Sequence, residues 1–448
     1  MKKILLINPK SGFASFTFNE PLVLGVLAAL TPNTYEIEFI DENFEPFTYR
    51  ECDLVALTSS TSAINRAYNI AEQYNKNGIP TIIGGIHVSY IPNEATNYFT
   101  SVVVGDAEGV WNTLLNDFEN NSLKKIYENL DYRNRHIVAP KRSIFEKYAY
   151  GAASIETSRG CTGSCDYCSI HALYRNRRHT RPIDDIVKDL ECIDKKVVFF
   201  TDDNFIGNFG DKERIKIILE ALIKFEKKWA AFCTLDIVKH PDLLEMFQKS
   251  GCVILYIGIE TDQIDTLVSI KKPINKRVLG DLSLKNCLKI IHSYKISVMG
   301  FLIFGFDTDQ SIDEMYRRME RIEKSGIDWY VIFLLTPIPG SQIFFKLQDE
   351  NRIIKNNYPT DWEQYNFTNS VFTPNNFSPE ELNEFFIKTN TYYYNQKNTL
   401  KRFIRTLLST KSLKSTTYLY LWAINNYSNV RGYWHMKIFR FFVKLFLK

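Results

Sequence analysis

Short apolar runs that alternate with helix-period segments, in two successive blocks, constrain this chain more tightly than its composition does. In the first block Ile4–Ile7, Tyr35–Ile40, Leu54–Leu57, Thr81–Ile83 and Val102–Val104 read as strands. Helix candidates lie between them at Leu22–Leu30, Ala63–Asn75 and Ala107–Phe118. Mostly continuous apolar strands separated by helices predict an α/β, doubly wound, Rossmann-like parallel sheet, whose ligands bind beyond the carboxyl ends of its strands. Those ends carry Pro9, Ser59 and Thr61, the turn Gly84-Gly85-Ile86-His87, and Gly105 through Glu108. Glycine and small hydroxylated residues allow a ligand close to the backbone, although Gly84-Gly85 also satisfies a tight turn by itself.

A polar, helix-poor stretch around 119–149 separates the blocks. The second block has strand candidates at Ser154–Thr157, Val197–Thr201, Ala231–Leu235, Val253–Ile259, Val298–Phe304 and Tyr330–Leu335. Helices fit at Ile183–Cys192, Glu213–Lys227, Pro241–Lys249, Leu282–His292 and Ile312–Lys324. This pattern predicts a partial (β/α)6 barrel with its reactive groups at the carboxyl ends of the strands. The expected organisation is a Rossmann-like domain at 1–125, a linker at 126–150, the barrel at 151–345 and a mostly helical extension at 346–448, ending in a basic, aromatic tail.

Directly after the first barrel strand comes Ser158-Arg-Gly-Cys161-Thr-Gly-Ser-Cys165-Asp-Tyr-Cys168. The C-x3-C-x2-C spacing brings three thiolates to one loop and no fourth. Thiolates select soft sites such as zinc or iron–sulfur clusters, and a four-iron cluster held by three cysteines keeps one iron open for a ligand. A zinc site and a cluster of reduced thiols are the alternatives; with eight cysteines in 448 residues, chance is the weakest reading. The other five, Cys52, Cys192, Cys233, Cys252 and Cys287, are scattered among apolar segments and read as small packing residues.

Further candidates stand at the ends of the later strands. Asp202-Asp203-Asn204 sets adjacent carboxylates in an apolar context, where they need a positive partner; a solvated turn or helix cap is the alternative. Glu260, at the fourth strand's end, is placed to accept from sugar hydroxyls or to cap the next helix. Gly300 and Gly305 in the fifth strand remove side chains and so allow a close approach to the backbone. Thr336 opens a proline-bearing exit, Thr336-Pro-Ile-Pro-Gly340, with exposed carbonyls. The basic run Arg175, Arg177, Arg178, His179 and Arg181 reads mainly as a solvated loop, with Arg175 singled out to meet a ligand carboxylate.

These residues, in this order, resemble the radical SAM superfamily. The resemblance implies a [4Fe-4S] cluster on Cys161, Cys165 and Cys168, whose open iron binds S-adenosylmethionine and whose electron splits the sulfonium to a 5′-deoxyadenosyl radical. It further assigns Tyr167 to the wall beside cluster and adenine. Asp202, Asp203 and Asn204 then face the methionyl ammonium, Glu260 the ribose, Gly300, Gly305 and Thr336 the adenine, and Arg175 the carboxylate. The first block resembles the cobalamin-binding domain of one branch of that superfamily, with Ser59, Thr61, Gly84, Gly85, His87, Gly105 and Glu108 at the matching segments. The chain lacks D-x-H-x-x-G, so no cobalt-ligating histidine is implied; His87 is expected in a turn near the cofactor. The branch includes hopanoid methylases and the anaerobic magnesium-protoporphyrin ester cyclase, and Asp361-Trp362 looks closest to its lipid-methylase side.

The resemblance implies cobalamin-dependent methylation of an unactivated carbon in a lipid or other small molecule, driven by a low-potential electron donor. Radical oxidation, cyclisation or rearrangement is the alternative chemistry. A reading of another class is a non-catalytic iron–sulfur or zinc protein held at a membrane. An aromatic content of 14% and Tyr392-Tyr-Tyr394 suit an apolar or planar substrate, and core packing equally.

The formal charge of +4 hides an asymmetry: residues 401–448 hold ten Lys or Arg and no acid, leaving about −6 on the preceding 400. Tyr433–Leu447 mixes aromatics with Lys437, Arg440 and Lys444, too charged for a spanning helix, and predicts either an interfacial helix in peripheral contact with a membrane or one packed on the barrel. No recognition motif accompanies the basic residues, so nucleic acid is not expected. Met1-Lys-Lys runs straight into Ile4, without the apolar core of a secretory leader, which predicts a reducing, cytoplasmic setting.

Overall fold

The structure, a computed structural model, describes residues 1–11, 19–130, 136–207 and 211–427. Its first sheet grows around β1 (Lys2–Asn8), flanked by β2 (Tyr35–Asp41) on one side. On the other side lie β3 (Leu54–Thr58), β4 (Thr81–Gly84), β5 (Ser101–Gly105) and β6 (Ile126–Asn129), all parallel, in the order β2-β1-β3-β4-β5-β6. Period-two geometry sends Leu5, Ile7, Val55, Leu57 and Ile83 to one core and Ile4, Leu6, Leu54, Ala56 and Ile82 to the other. Burial on both faces is why these runs lack polar alternation.

The stretch expected to be a linker opens with β6, so the first sheet reaches beyond 125. Ile126-Tyr-Glu-Asn is an edge strand with only Tyr127 buried, too little apolar signal to be read from sequence. The segment leading into the barrel is also tied down. Phe145 fills the notch left by Gly25, and Arg142 donates to Asp189 at 2.7 Å and to Glu20 at 3.2 Å.

The second sheet is formed by β7 (Ala153–Ile155), β10 (Val197–Phe200), β11 (Lys228–Cys233), β12 (Cys252–Glu260), β13 (Ser297–Phe304) and β14 (Trp329–Leu334). They lie parallel in sequence order, and β7 and β14 do not pair, which leaves a partial barrel. Between β7 and β10, the two-residue strands β8 (Ser158–Arg159) and β9 (His179–Thr180) pair antiparallel around the cysteine loop. The third barrel strand starts three residues earlier than Ala231: Trp229 belongs to it, packed on Phe247 of the next helix, and Leu235 already begins a helical turn.

Three C-terminal helices, Pro379–Tyr393, Gln396–Thr410 and Leu413–Tyr427, cover the barrel. Ser415 bonds Ser297, where β13 starts, and the carbonyl of Val253, where β12 starts, so the last helix closes the barrel's amino end. Ser378 and Glu381 make a reciprocal capping box on the first of these helices. Ser378→Ala is expected to cost about 1 kcal/mol, read as a lower urea midpoint. Tyr433–Leu447 lies outside the described residues. No helix among the described residues is long and apolar enough to cross a membrane.

Candidate active site

The cysteine loop emerges from the carboxyl end of β7, and the second strand's acidic pair holds its root. Asp202, fully buried, accepts from Thr157 N (2.9 Å), Thr157 Oγ1 (2.6 Å) and Ser158 Oγ (2.5 Å). Asp203 accepts from Gly160 N at 2.8 Å. Asp202 is thus committed to the loop's backbone and hydroxyls, where the sequence suggested a ligand contact. Asn204 is buried beside them, and its Oδ1 has no hydrogen-bond partner among the described residues.

Burial pushes the Asp203 carboxyl up to about 6, reinforced by Glu156 and Asp202 and opposed by the Gly160 N–H. The folded chain therefore holds a proton that the unfolded chain has lost between about pH 4 and 6. Stability is expected to fall as pH rises through that window. Asp203→Asn should flatten the fall, as measured by urea midpoints of apo-protein across it.

Within the loop, Gly163 N–H donates to Cys161 Sγ at 3.3 Å, and burial raises all three thiols, Cys168 to about 12. Among the described residues no three His, Cys, Asp or Glu side chains converge to hold a metal ion. Three thiol donors in one loop, one already receiving an N–H, fit the cluster in kind.

Beside Cys165 sits a buried group that the sequence reading missed. Lys272 donates to Tyr167 Oη at 3.1 Å and to Glu260, and Tyr167 Oη donates to Glu260 Oε1 at 2.9 Å. Burial alone would lower the Lys272 pKa, but Glu260 and Cys165 outweigh it, and the pKa is raised. Two devices build this triad. Glu260 stands at φ +61, unusual for a side-chain-bearing residue, at a register shift between β12 and β13. Gly258 leaves the space, since a Cβ there would collide with both Glu260 and Lys272. Asn275 Nδ2 secures the carbonyls of Gly258 and Ile259 at 2.8 and 3.0 Å. The Lys271-Lys272-Pro273 doublet before a helix is the only sequence signal for Lys272.

Of the other expected residues, Gly300, Gly305 and Thr336 make local contacts within the barrel. Arg175 is exposed at φ +50 after a short helix. Gly300 makes room for Ile259 and Ile327, a Cβ lying 2.7 Å from Ile259 Cδ1. Gly305, at φ +100, faces Leu382, and Thr336 spends its hydroxyl on the carbonyl of Leu334. The basic run is also less solvated than expected: Arg178 ties Ser158 (2.9 Å) to Asp211 (2.8 Å), and Arg181 is buried against Asp189 at 2.7 Å.

At the carboxyl ends of β3, β4 and β5 lies a cavity of about 350 Å³. Leu22, Val26 and Leu27 give it an apolar wall, and Gly84, Gly85, Gly105 and Glu108 contribute to its lining. Its far side belongs to the barrel: Glu156, Arg159, Thr201 and, beyond the cysteines, Ile170, Leu173 and Tyr174. Arg159 fastens the two together. Its guanidinium meets Asp106 and Glu108, each at 3.0 Å, and Glu156 at 2.6 Å. Gly85 needs its φ of +110, with a Cβ otherwise 2.6 Å from the Ser59 carbonyl; this is where Ser59 matters.

His87 and Thr61 do not line the cavity. They share a buried pocket, His87 Nδ1 lying 3.3 Å from Thr61 Oγ1, with the His87 ring edge-on to Trp362. Trp362 donates to Glu94 at 2.9 Å and so docks the C-terminal extension on the first sheet. The cavity lining contains no histidine. An apolar wall and a carboxylate-rich rim with one arginine suit a corrin, whose amide fringe offers donors.

A partial parallel barrel carrying three cysteines after its first strand defines the class. Residues 155–319 match the family model described as "Radical SAM superfamily", and this part of the chain is a radical SAM domain. Over 450 aligned residues it is 29% identical to a bacteriochlorophyllide d C-12(1)-methyltransferase of Chlorobaculum tepidum, covering 94% of this chain and 95% of the relative. It is 28% identical to the hopanoid C-2 methylase of Rhodopseudomonas palustris, over 79% of this chain and 71% of the relative. Among solved structures, the cobalamin-dependent S-adenosylmethionine radical enzyme OxsB shares the fold with a TM-score of 0.67 at 15% identity, over 99% of this chain and 75% of that one. The methyltransferase TsrM from Kitasatospora setae does so at 0.61 and 14%, over 86% and 85%.

Proposed function

We propose that the chain is a cobalamin-dependent C-methylase acting on an unactivated carbon of an apolar, ring-bearing small molecule. The observation that carries this reading is the cavity's far wall: it is made by Glu156 and Arg159, which lead into the cysteine loop, and by Ile170, Leu173 and Tyr174, which leave it. Cys161, Cys165 and Cys168 would hold the [4Fe-4S] cluster with S-adenosylmethionine on its open iron, and Gly84, Gly85, Gly105 and Glu108 would border cobalamin. When bound, these groups supply a 5′-deoxyadenosyl radical for hydrogen abstraction and a methyl group for the resulting carbon radical.

The chain's residues set the conditions. Lys272 places a buried positive charge beside the cluster thiolates, and Glu260 and Tyr167 hold it there. Asn204, with its unmatched acceptor next to Asp203, suits the methionyl ammonium. Arg159 keeps the cavity's two walls in register. Inside the barrel, Phe232, Phe301 and Phe333 form a partly exposed aromatic wall, Phe301 and Phe333 with planes 2° apart and centroids 5.9 Å apart. Such a wall favours apolar, planar substrates and keeps water from a radical. The relatives named for bacteriochlorophyllide and hopanoid methylation support the same substrate class.

The test is anaerobic reconstitution with iron and sulfide, reduction in the presence of S-adenosylmethionine, and quantification of 5′-deoxyadenosine and S-adenosylhomocysteine with and without methylcobalamin. Both products, the second only with cobalamin, are expected. Deoxyadenosine alone in both arms would replace methylation with radical oxidation, cyclisation or rearrangement. Absence of both from protein with a filled cluster, with candidate ring-bearing substrates added, would overturn the reading.

A further inference from the structure

The helix Gln396–Thr410 is packed the wrong way round for its composition. Its buried residues are Thr399, Arg402, Thr406 and Thr410. Its aliphatic residues Leu400, Ile404 and Leu408 are 50, 49 and 70% exposed. At about 100° per residue these three, with the exposed Lys397 and Lys401, fall within one sector of about 100°. The inward polar face has local reasons. Arg402 donates to the carbonyl of Tyr393, lies over the Tyr330 ring and approaches Glu323 at 3.6 Å, while Thr410 returns its hydroxyl to Thr406. The outward apolar stripe has no such account within the described residues.

We infer that this face docks on an anionic membrane surface. An amphipathic helix binds such an interface with its apolar stripe in the acyl boundary and its lysines at the headgroups. The charge pattern selects this occupant. From Phe385 to Lys448 the sequence has twelve Lys or Arg and no Asp or Glu, so negative charge to match this face must come from outside that region. Leu413 and Lys414, both exposed at the start of the next helix, extend the same apolar and basic character. Membrane docking of this face is independent of the reaction assigned to the barrel. It would place the enzyme where apolar substrates partition.

The experiment is co-sedimentation of the full chain with vesicles of pure phosphatidylcholine or of equimolar phosphatidylcholine and phosphatidylglycerol. Binding to the anionic vesicles alone, weakened by salt, is expected. Ile404→Gln with Leu408→Gln should weaken it by about tenfold or more, and so should Lys397→Gln with Lys401→Gln. These side chains are exposed, so unchanged melting curves should accompany both; Ile217→Gln, at an exposed apolar site on a barrel helix, should bind as wild type. Three outcomes would overturn the proposal: no anion-dependent binding, binding untouched by the helix variants, or lipid-free self-association that the Ile404→Gln, Leu408→Gln pair abolishes.

Discussion

Cys165→Ala is expected to reduce 5′-deoxyadenosine formation to the level of a reductant-only control and to remove the charge-transfer absorbance of the reconstituted protein. The loop's three thiols are the proposed ligands, and the other five cysteines, Cys52, Cys192, Cys233, Cys252 and Cys287, lie outside it in the chain. Two thiolates leave two irons of a cubane without protein ligands, and such a cluster is lost or never assembles. Cys192→Ala, on an exposed free cysteine outside the loop, should retain both signals. Equal loss in both variants would mean that the cluster does not sit on the C-x3-C-x2-C loop.

Arg159→Ala is expected to be the most damaging single change away from the cysteines. One guanidinium, 15% exposed at its side chain, neutralises Asp106, Glu108 and Glu156, and these carboxylates come from both sheets. Removing one partner of a buried ion pair costs about 3–5 kcal/mol because the remaining charge stays buried without compensation, and here three remain. A clear fall in the urea midpoint is expected, and retention of hydroxocobalamin on gel filtration should fall with it. Arg159→Lys should recover only part of either, since a single ammonium cannot serve three directions as the planar fork does. A midpoint unchanged in the alanine variant would show that the two sheets are held together elsewhere.

The strands were readable because burial on both faces leaves continuous apolar runs, as in Leu54–Leu57 and Val253–Ile259, and the cysteines because their spacing has few other uses. The cavity's glycines were readable as turn residues at strand ends. What the sequence concealed depends on partners far along the chain. Lys272 acquires its role only when a left-handed Glu260 and a missing side chain at Gly258 bring it to Tyr167. Arg159 is only a residue two places before Cys161 until Asp106 and Glu108 arrive from the other sheet. Gly300, Thr61 and His87 show the converse. Each stands in a motif position yet answers to local packing: Gly300 to Ile259 and Ile327, His87 and Thr61 to the Trp362 that arrives from the C-terminal extension.

The proposed chemistry depends on Cys161, Cys165 and Cys168 holding a four-iron cluster, which would leave one iron open to S-adenosylmethionine. It is tested most directly by electron paramagnetic resonance of the reduced, reconstituted protein before and after S-adenosylmethionine is added. A [4Fe-4S]+ signal whose g-values shift on addition is predicted, because the new ligand binds the cluster itself. A signal that S-adenosylmethionine leaves unchanged, from protein with a full complement of iron and sulfide, would contradict it.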